Sequence, residues 1–256
     1  SNGALGTYKC VFKSPQRSST AVEKLYEHLK KSGLTKVALI TASDGFGKDG
    51  KVWLEKLASQ YGLTIVADES FNPKDTDVTA QLTKLAAKKP DAIVAWTIGP
   101  AAAIVAKNVK QLNLKEPLFQ CHGIPDPKYI ELAGPAADGS IMPSTKLMAW
   151  RDLPDSDPQK KVIQEFVRLY DDVYKINKEF PINTHSGYAW DAIFIVAEAM
   201  KKAGVAPDKL RDAIEQTKNH IGISGTYNLT PEDHNGLGTD SMILVKVENG
   251  TWKLVK

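Results

Sequence analysis

The clearest pattern in the chain lies at residues 36–68, which read KVALITASDGFGKDGKVWLEKLASQYGLTIVAD. Residues 36–41 and 64–68 are short apolar runs rich in β-branched side chains, which is typical of buried strands. Between them, residues 49–61 carry an apolar stripe with helical spacing, formed by Val52, Leu54, Leu57 and Ala58. Such a strand-helix-strand unit needs a right-handed crossover and predicts two parallel strands of one sheet.

The same alternation extends outward over residues 8–143. Further strands are predicted at residues 8–12, 92–96, 118–121 and 139–142, and further helices at 19–31, 78–88, 101–112 and 127–132. Alternating strands and helices are typical of a parallel sheet that is covered on both faces. The fold class is therefore α/β, with a doubly wound parallel-sheet lobe.

The alternation stops at residues 154–158, a turn-rich segment that reads PDSDP. Two long helical patterns follow without a strand between them, and the second has an apolar face formed by Ile193, Val196, Ala197 and Met200. A helix at 208–216 comes next, and residues 242–247 and 251–255 form a predicted hairpin around Asn249-Gly250. The second unit is therefore helical and lacks a sheet of its own.

Composition and charge exclude several classes of protein. The chain has 256 residues, of which 42% are hydrophobic and 25% charged, and its net charge is +3. These values match a folded domain and argue against disorder and against nucleic-acid binding. The longest weakly polar run, residues 92–106, contains Gly99-Pro100 and is shorter than the roughly 20 residues that span a bilayer. No membrane span is predicted.

Cysteine and histidine residues are too dispersed to predict a disulfide framework or a metal site. We expect Cys10 and Cys121 to be buried free thiols. The four histidines that lie outside the candidate ligand site are His28, His185, His220 and His234. No cofactor is predicted on this basis.

The hexapeptide GFGKDG at residues 45–50 matches GxGxxG, and Asp68 ends the next predicted strand. Taken literally, this pattern indicates a dinucleotide-dependent oxidoreductase. Phe46 is bulky where backbone must approach a pyrophosphate, and Asp49 would face the phosphates. The other interpretation is a strand-to-helix turn in which glycines allow positive φ and Asp44 or Asp49 caps the helix.

Ligands of open parallel sheets bind outside the carboxyl ends of the strands. The turns after three predicted strands supply hydroxyls, an aromatic face and an imidazole, which suits small-molecule binding rather than hydrolysis. The candidate ligand-binding residues are Ser43, Asp44, Phe46, Trp96, Thr97, Ile98, His122 and Gly123. Three of them keep an alternative, because His122 fits a hydrogen-bonded strand end equally well, Trp96 fits the core, and Phe46 fits a loop residue packed on its own helix.

Short segments along nearly the whole chain form a recognisable series. They are GTYKCVFK at 6–13, KVALI at 36–40 with DGFG at 44–47, DTDVTAQL at 75–82, KPDAI at 89–93, AGPAADG at 133–139, LPDSDP at 153–158 and YAWDAI at 188–193. Together they resemble the branched-chain amino acid type, or type I, of periplasmic substrate-binding proteins.

This resemblance implies a two-lobed protein that is not an enzyme. It implies that the protein closes on a solute in an interlobe cleft and delivers it in the periplasm to the membrane permease of an ABC transporter. The implied division is residues 1–15 as the last strand of lobe 1 and first hinge, 16–143 as lobe 2, 144–218 as the helical part of lobe 1, and 219–256 as the return crossing and closing hairpin of lobe 2. It also implies that an N-terminal segment of the family is lacking here.

The resemblance implies a role for three site residues. Phe46 stands where the family places an aromatic ring against the ligand, and Ile98 lies near a second such position. His122 stands where amino-acid binders place an acidic residue on the ligand's ammonium. Because an imidazole carries no negative charge, we expect a small organic acid, with aromatic acids among the candidates, rather than an α-amino acid.

Two further expectations concern partners and alternatives. The apolar helix faces predict either a homodimer by exchange of elements or a complementary N-terminal fragment. Besides the oxidoreductase, a ligand-sensing regulator of the same fold is the remaining alternative, although the chain shows no attached signalling module.

Overall fold

The computed structural model describes residues 8–255. The chain folds into two compact units, and the described part of unit 1 comprises residues 8–17 and 145–242. Unit 2 comprises residues 18–144 and 243–255 of the described chain. The chain passes from one unit to the other three times, after Arg17, Ser144 and Met242.

The strands and helices are defined by these bounds. The strands are β1 (Lys36–Ala42), β2 (Thr64–Phe71), β3 (Ala92–Trp96), β4 (Leu118–Gln120), β5 (Ile141–Thr145), β6 (His220–Ile221), β7 (Thr226–Tyr227), β8 (Met242–Glu248) and β9 (Thr251–Leu254). The helices are α1 (Ser18–Lys31), α2 (Gly45–Ala58), α3 (Thr79–Ala86), α4 (Pro100–Gln111), α5 (Pro127–Ala133), α6 (Lys160–Val167), α7 (Thr184–Ala203) and α8 (Pro207–Glu215). A π-helical turn, Arg168–Val173, follows α6.

A seven-stranded sheet has the order β2-β1-β3-β4-β5-β8-β9. Neighbouring strands from β2 to β5 are parallel, and the final pair, β8 and β9, is antiparallel. Every residue of β3 is buried, and so is every residue of β1 after Lys36, which explains their continuous apolar sequences. The order of the parallel strands confirms the predicted doubly wound α/β fold.

The structure corrects the predicted start of α2. The sequence placed it at Asp49, whereas the helix begins at Gly45. Asp44 is the N-cap, and its carboxylate accepts a hydrogen bond from the backbone N–H of Gly47 at 2.8 Å. This bond satisfies one of the open N–H groups of the first turn and stabilises a helix that begins four residues earlier than predicted.

Residues 8–12 do not form the predicted strand. Their backbone makes a turn in which the N–H of Val11 donates to the carbonyl of Tyr8 at 3.1 Å. A strand needs a neighbouring strand to pair with. Outside the seven-stranded sheet, the strands that the structure describes in unit 1 are β6 and β7, which have two residues each and pair with each other. The segment is held instead by Phe12, whose ring stacks on His234 with centroids 4.1 Å apart.

Unit 1 has two buried apolar clusters. One joins α7 and α8 to the segment after β6 and consists of Ile195, Ala199, Ile214, Tyr227, Leu229 and Leu237. The other lies around α6 and consists of Leu147, Leu153, Ile163, Phe166 and Ile223.

The division implied by the sequence resemblance had grouped residues 219–256 with lobe 2. Residues 219–242 belong instead to unit 1. The reason is that side chains of unit 1 bind the β6–β7 turn.

One face of α7 is exposed although it is apolar. Ile193 is 67% exposed, and Phe194, Val196 and Met200 are exposed beside it. This is the face that the sequence predicted to lack a covering sheet. Within residues 8–255, no helix combines the length and the apolar content that crossing a bilayer requires.

Candidate functional site at the carboxyl ends of three strands

The candidate site lies where the strand order of the sheet reverses. From β1 the chain goes first to β2 on one side and then to β3 on the other. The connections after β1 and β3 therefore diverge at the carboxyl ends of these strands, which is where open parallel sheets bind ligands. Ser43, Asp44 and Phe46 follow β1, Trp96 to Ile98 end or follow β3, and His122 and Gly123 follow β4.

Three rings form the centre of the site. The ring centroids of Phe46 and Trp96 are 6.0 Å apart, and the ring planes are inclined by 29°. The His122 centroid lies 5.9 Å from that of Phe46 and 5.7 Å from that of Trp96. Trp96 is fully buried and His122 is 7% exposed, whereas Phe46 is half-buried. Trp96 therefore forms the buried base of the cluster, which agrees with the alternative that places it in the core. Phe46 is the ring most open to a ligand.

Ile98 and Gly123 extend the apolar surface. Ile98 is 47% exposed, which is high for a large aliphatic side chain. A Cβ atom on Gly123 would lie 2.7 Å from Ile98 Cγ2 and 3.7 Å from Phe46 Cζ. The absence of a side chain at Gly123 therefore leaves the space that Ile98 occupies beside it, close to Phe46.

Some polar groups of the site already form hydrogen bonds within the protein. Asp44 accepts the N-cap hydrogen bond of α2, and the carbonyl of Thr97 accepts a hydrogen bond from Cys121 Sγ at 3.0 Å. Ser43 is exposed. Thr97 Oγ1 and Trp96 Nε1 are buried and have no hydrogen-bond partner among the described residues. The exposed Ser43 is therefore the most accessible hydroxyl.

Two helices begin at this edge of the sheet. Helix α2 follows β1, and α4 follows β3 with Gly99 as its N-cap and Pro100 in the first turn. The Gly99 cap supplies no side-chain hydrogen bond. The N-terminus of a helix carries a partial positive charge. At α2 the Asp44 carboxylate already occupies this position, so α4 is the helix that favours a further negatively charged group near this edge.

Two of the three glycines of the GFGKDG motif, Gly47 and Gly50, face the protein, whereas Gly45 is exposed. A Cβ atom on Gly47 would lie 1.9 Å from the carbonyl oxygen of Ala42, and one on Gly50 would lie 2.1 Å from the Trp96 indole. None of the three glycines has positive φ, so that expectation was wrong. Asp68 forms an ion pair with Lys51. The motif therefore serves helix-sheet packing, and the dinucleotide interpretation loses its structural basis.

The two cysteines differ in their surroundings. Cys121 is buried as predicted, whereas Cys10 is exposed, because residues 8–12 are a surface turn rather than a buried strand. Burial raises the pKa of the Cys121 thiol to about 12. Among residues 8–255, no cluster of three or more His, Cys, Asp or Glu side chains is arranged to hold a metal ion.

We expect iodoacetamide at pH 8 to modify Cys10 in the native protein and to leave Cys121 unmodified until the chain is unfolded. The thiolate is the reactive form, and a thiol with a pKa near 12 has roughly 1 in 10,000 molecules ionised at pH 8. Peptide mass spectrometry after timed labelling measures both sites, with labelling in denaturant as the control. Equal labelling of the two cysteines in the native protein would contradict the burial of Cys121.

Comparison with known proteins identifies the family. A family model described as periplasmic binding protein matches residues 4–251. An extracellular ligand-binding receptor from Rhodopseudomonas palustris HaA2 is 33% identical, with a TM-score of 0.85 over 94% of this chain and 69% of that chain. A leucine-binding protein from Thermotoga maritima MSB8 has the same fold, with 22% identity and a TM-score of 0.81 over 98% of this chain and 68% of that one.

Curated sequences agree with this result. A Leu/Ile/Val-binding protein homolog from Brucella suis biovar 1 (strain 1330) is 22% identical over 202 residues, which is 79% of this chain and 50% of that protein. The chain thus spans about half the length of the curated relatives it matches. It belongs to the periplasmic binding protein family, and the predicted type I resemblance and fold are confirmed. This is a family of solute-binding proteins rather than of enzymes.

The residues that the sequence singled out end or follow three neighbouring strands of the sheet. For the glycine motif the sequence left two interpretations, dinucleotide binding and a turn with positive φ, and neither includes the packing of Gly47 and Gly50 against β1 and Trp96. A GxGxxG motif does not by itself distinguish glycines that approach a phosphate from glycines that approach a neighbouring strand. A polar segment before the first glycine and the bulky Phe46 within the motif were the available signals.

Proposed function

We propose that this chain is the solute-binding part of an ABC importer in the periplasm and that it binds a small organic acid, preferably an aromatic one. The observation that carries the proposal is the cluster of Phe46, Trp96 and His122 at the point where the strand order reverses. Family membership supports the transport role, with the importer's membrane permease as the macromolecular partner.

The chemistry of the site supports an acid over an α-amino acid. An ammonium group needs a carboxylate or several acceptors, and neutral imidazole offers one acceptor. One oxygen of the nearby Asp44 is already bound to the N–H of Gly47. Exposed Ser43 and the N-terminus of α4, which no carboxylate caps, suit a carboxylate instead, while Phe46 and Ile98 suit an apolar or aromatic body.

The test is a binding screen with the 256-residue chain, using benzoate, phenylacetate, propionate and leucine in thermal unfolding and calorimetry. We expect the aromatic acids to raise Tm, because a ligand that binds the native state alone stabilises it. Phe46→Ala is expected to weaken the binding of benzoate about tenfold, since an aromatic pair contributes about 0.5–1.5 kcal/mol beyond its buried area.

Phe180→Ala is the matched control, because Phe180 is exposed in unit 1 and lies outside the site. It should bind the acids as the parent does. A larger stabilisation by leucine than by either aromatic acid would overturn the ligand class. Equal effects of the two alanine variants would overturn the position of the site.

Partners other than the permease are also proposals. Exposed apolar side chains on α7 favour a homodimer or a complementary fragment over an uncovered surface. The oxidoreductase alternative gains no support, because the glycine motif packs against β1 and Trp96. The ligand-sensing regulator shares this fold, and the family match to periplasmic binding proteins favours the transport role over it.

A further inference from the structure

We propose that Gly50 is a positioning residue for the ligand site. Because Gly50 has no side chain, the Trp96 indole packs directly against α2, and the position of the indole determines the shape of the surface that an aromatic ligand contacts. The expected effect on ligand binding rests on the proposed function. The effect of Gly50 on the position of Trp96 does not, because it follows from the contacts between α2 and β3.

The first step is the contact itself. A Cβ atom on Gly50 would lie 2.1 Å from both Cδ1 and Nε1 of Trp96 and 2.4 Å from its Cγ. Cβ contacts under 3.0 Å essentially do not occur, and all three atoms belong to a rigid ring rather than to a flexible chain end. Any residue other than glycine at this position must therefore move the indole or the helix.

The second step is where the indole would go. Trp96 is fully buried at the end of β3, where its Cα is paired with that of Thr41 in β1. Its ring also contacts Phe46 and His122, with centroids 6.0 Å and 5.7 Å away. A displaced indole therefore changes its contacts with the two rings that form the site.

The third step is that shape alone holds the indole. Trp96 Nε1 is buried without a hydrogen-bond partner among the described residues, so no polar contact there restores its position after a displacement. The ring orientation depends on the helix surface that Gly50 leaves open. Packing contacts of this kind respond to the addition of a single methyl group.

The other glycines of the motif separate this role from general helix packing. Gly47 faces the backbone of Ala42, so a side chain there disturbs the joint between α2 and β1. Gly45 has no atom within 4 Å of its Cβ position and has no positive φ. The same Gly→Ala change at positions 45 and 50 therefore differs mainly in its contact with Trp96.

The experiment compares Gly50→Ala with Gly45→Ala in the 256-residue chain. The first readout is the indole N–H resonance of Trp96 in a 1H–15N spectrum, assigned from a Trp96→Leu variant. We expect Gly50→Ala to shift this resonance and to weaken benzoate binding at least about tenfold relative to propionate. Gly45→Ala should change neither. Identical Trp96 resonances in the parent and in Gly50→Ala would overturn the proposal.

A double variant keeps the test decisive if Gly50→Ala is too unstable to study. In the Trp96→Leu background the rigid ring is gone, so adding Gly50→Ala should change Tm and benzoate affinity little. An equally large loss in both backgrounds would show that Gly50 does not act through Trp96. If the parent binds none of the acids, the proposed function fails, while the resonance comparison still decides the role of Gly50.

Discussion

Replacing Asp191 with alanine is expected to lower the free energy of unfolding by about 4 kcal/mol, since the change strands two buried N–H donors at about 1–3 kcal/mol each. Asp191 lies on α7 and is fully buried. Its carboxylate accepts hydrogen bonds from the backbone N–H groups of Ile223 at 2.7 Å and Ser224 at 2.8 Å. Chemical denaturation followed by circular dichroism measures the loss.

The control is Asp172→Ala, because Asp172 is exposed in the same unit. It should change the free energy of unfolding by less than about 0.5 kcal/mol. Equal effects of the two variants would show that the turn between β6 and β7 does not depend on Asp191.

Asp191 also predicts a pH dependence. Burial raises its pKa, and the hydrogen bonds from Ser224, Ile223 and Tyr227 oppose this effect only in part. The folded state therefore binds this proton more tightly than the unfolded state does. The resulting stabilisation is complete below the unfolded pKa of about 4 and is lost as the pH rises through the raised folded pKa. Asp191→Asn should lack this decline when both proteins are unfolded at pH 4 to 8.

Gly47→Ala is expected to destabilise the protein by about 3 kcal/mol, at the upper end of what overpacking costs. The added methyl would lie 1.9 Å from the carbonyl oxygen of Ala42 and 2.6 Å from its carbonyl carbon. These are backbone atoms of β1, which is paired with strands on both sides and cannot yield as a side chain would. Thermal unfolding measures the effect as a lower Tm.

Gly45→Ala provides the comparison within the same helical turn. Its Cβ would meet no atom within 4 Å, and alanine is favoured over glycine in helices by about 0.5–1 kcal/mol. We expect this variant to be as stable as the parent or slightly more so. A similar loss of stability at positions 45 and 47 would show that the contact with Ala42 is not the cause, because Gly45 lacks any such contact.

The parallel sheet was predictable because its central strands are buried over nearly their whole length. Strands β1 and β3 have continuous apolar sequences, and the structure confirms them within one residue of the expected bounds. Residues 8–12 have a similar composition but do not form a strand. Pairing with a neighbour decides between strand and turn, and a local pattern does not contain that information.

The candidate site was predictable to the level of its turns. The carboxyl ends of parallel strands lie at one edge of a sheet, so Phe46, Trp96 and His122 were expected near one another, and their rings are within 6.0 Å. The contact between Gly50 and Trp96 was not predictable. It depends on how closely α2 packs against the sheet, which is set by tertiary structure rather than by spacing along the chain.

The discontinuity of unit 2 has a consequence for biosynthesis. Strands β8 and β9 complete its sheet beside β5, yet nearly one hundred residues of unit 1, 145–242, are synthesised between them and β5. A ribosome therefore releases most of this sheet well before its last two strands. Until they emerge, the nascent chain has an open edge at β5, where pairing with other polypeptides competes with folding, so chaperones that shield strand edges are expected to act at this stage.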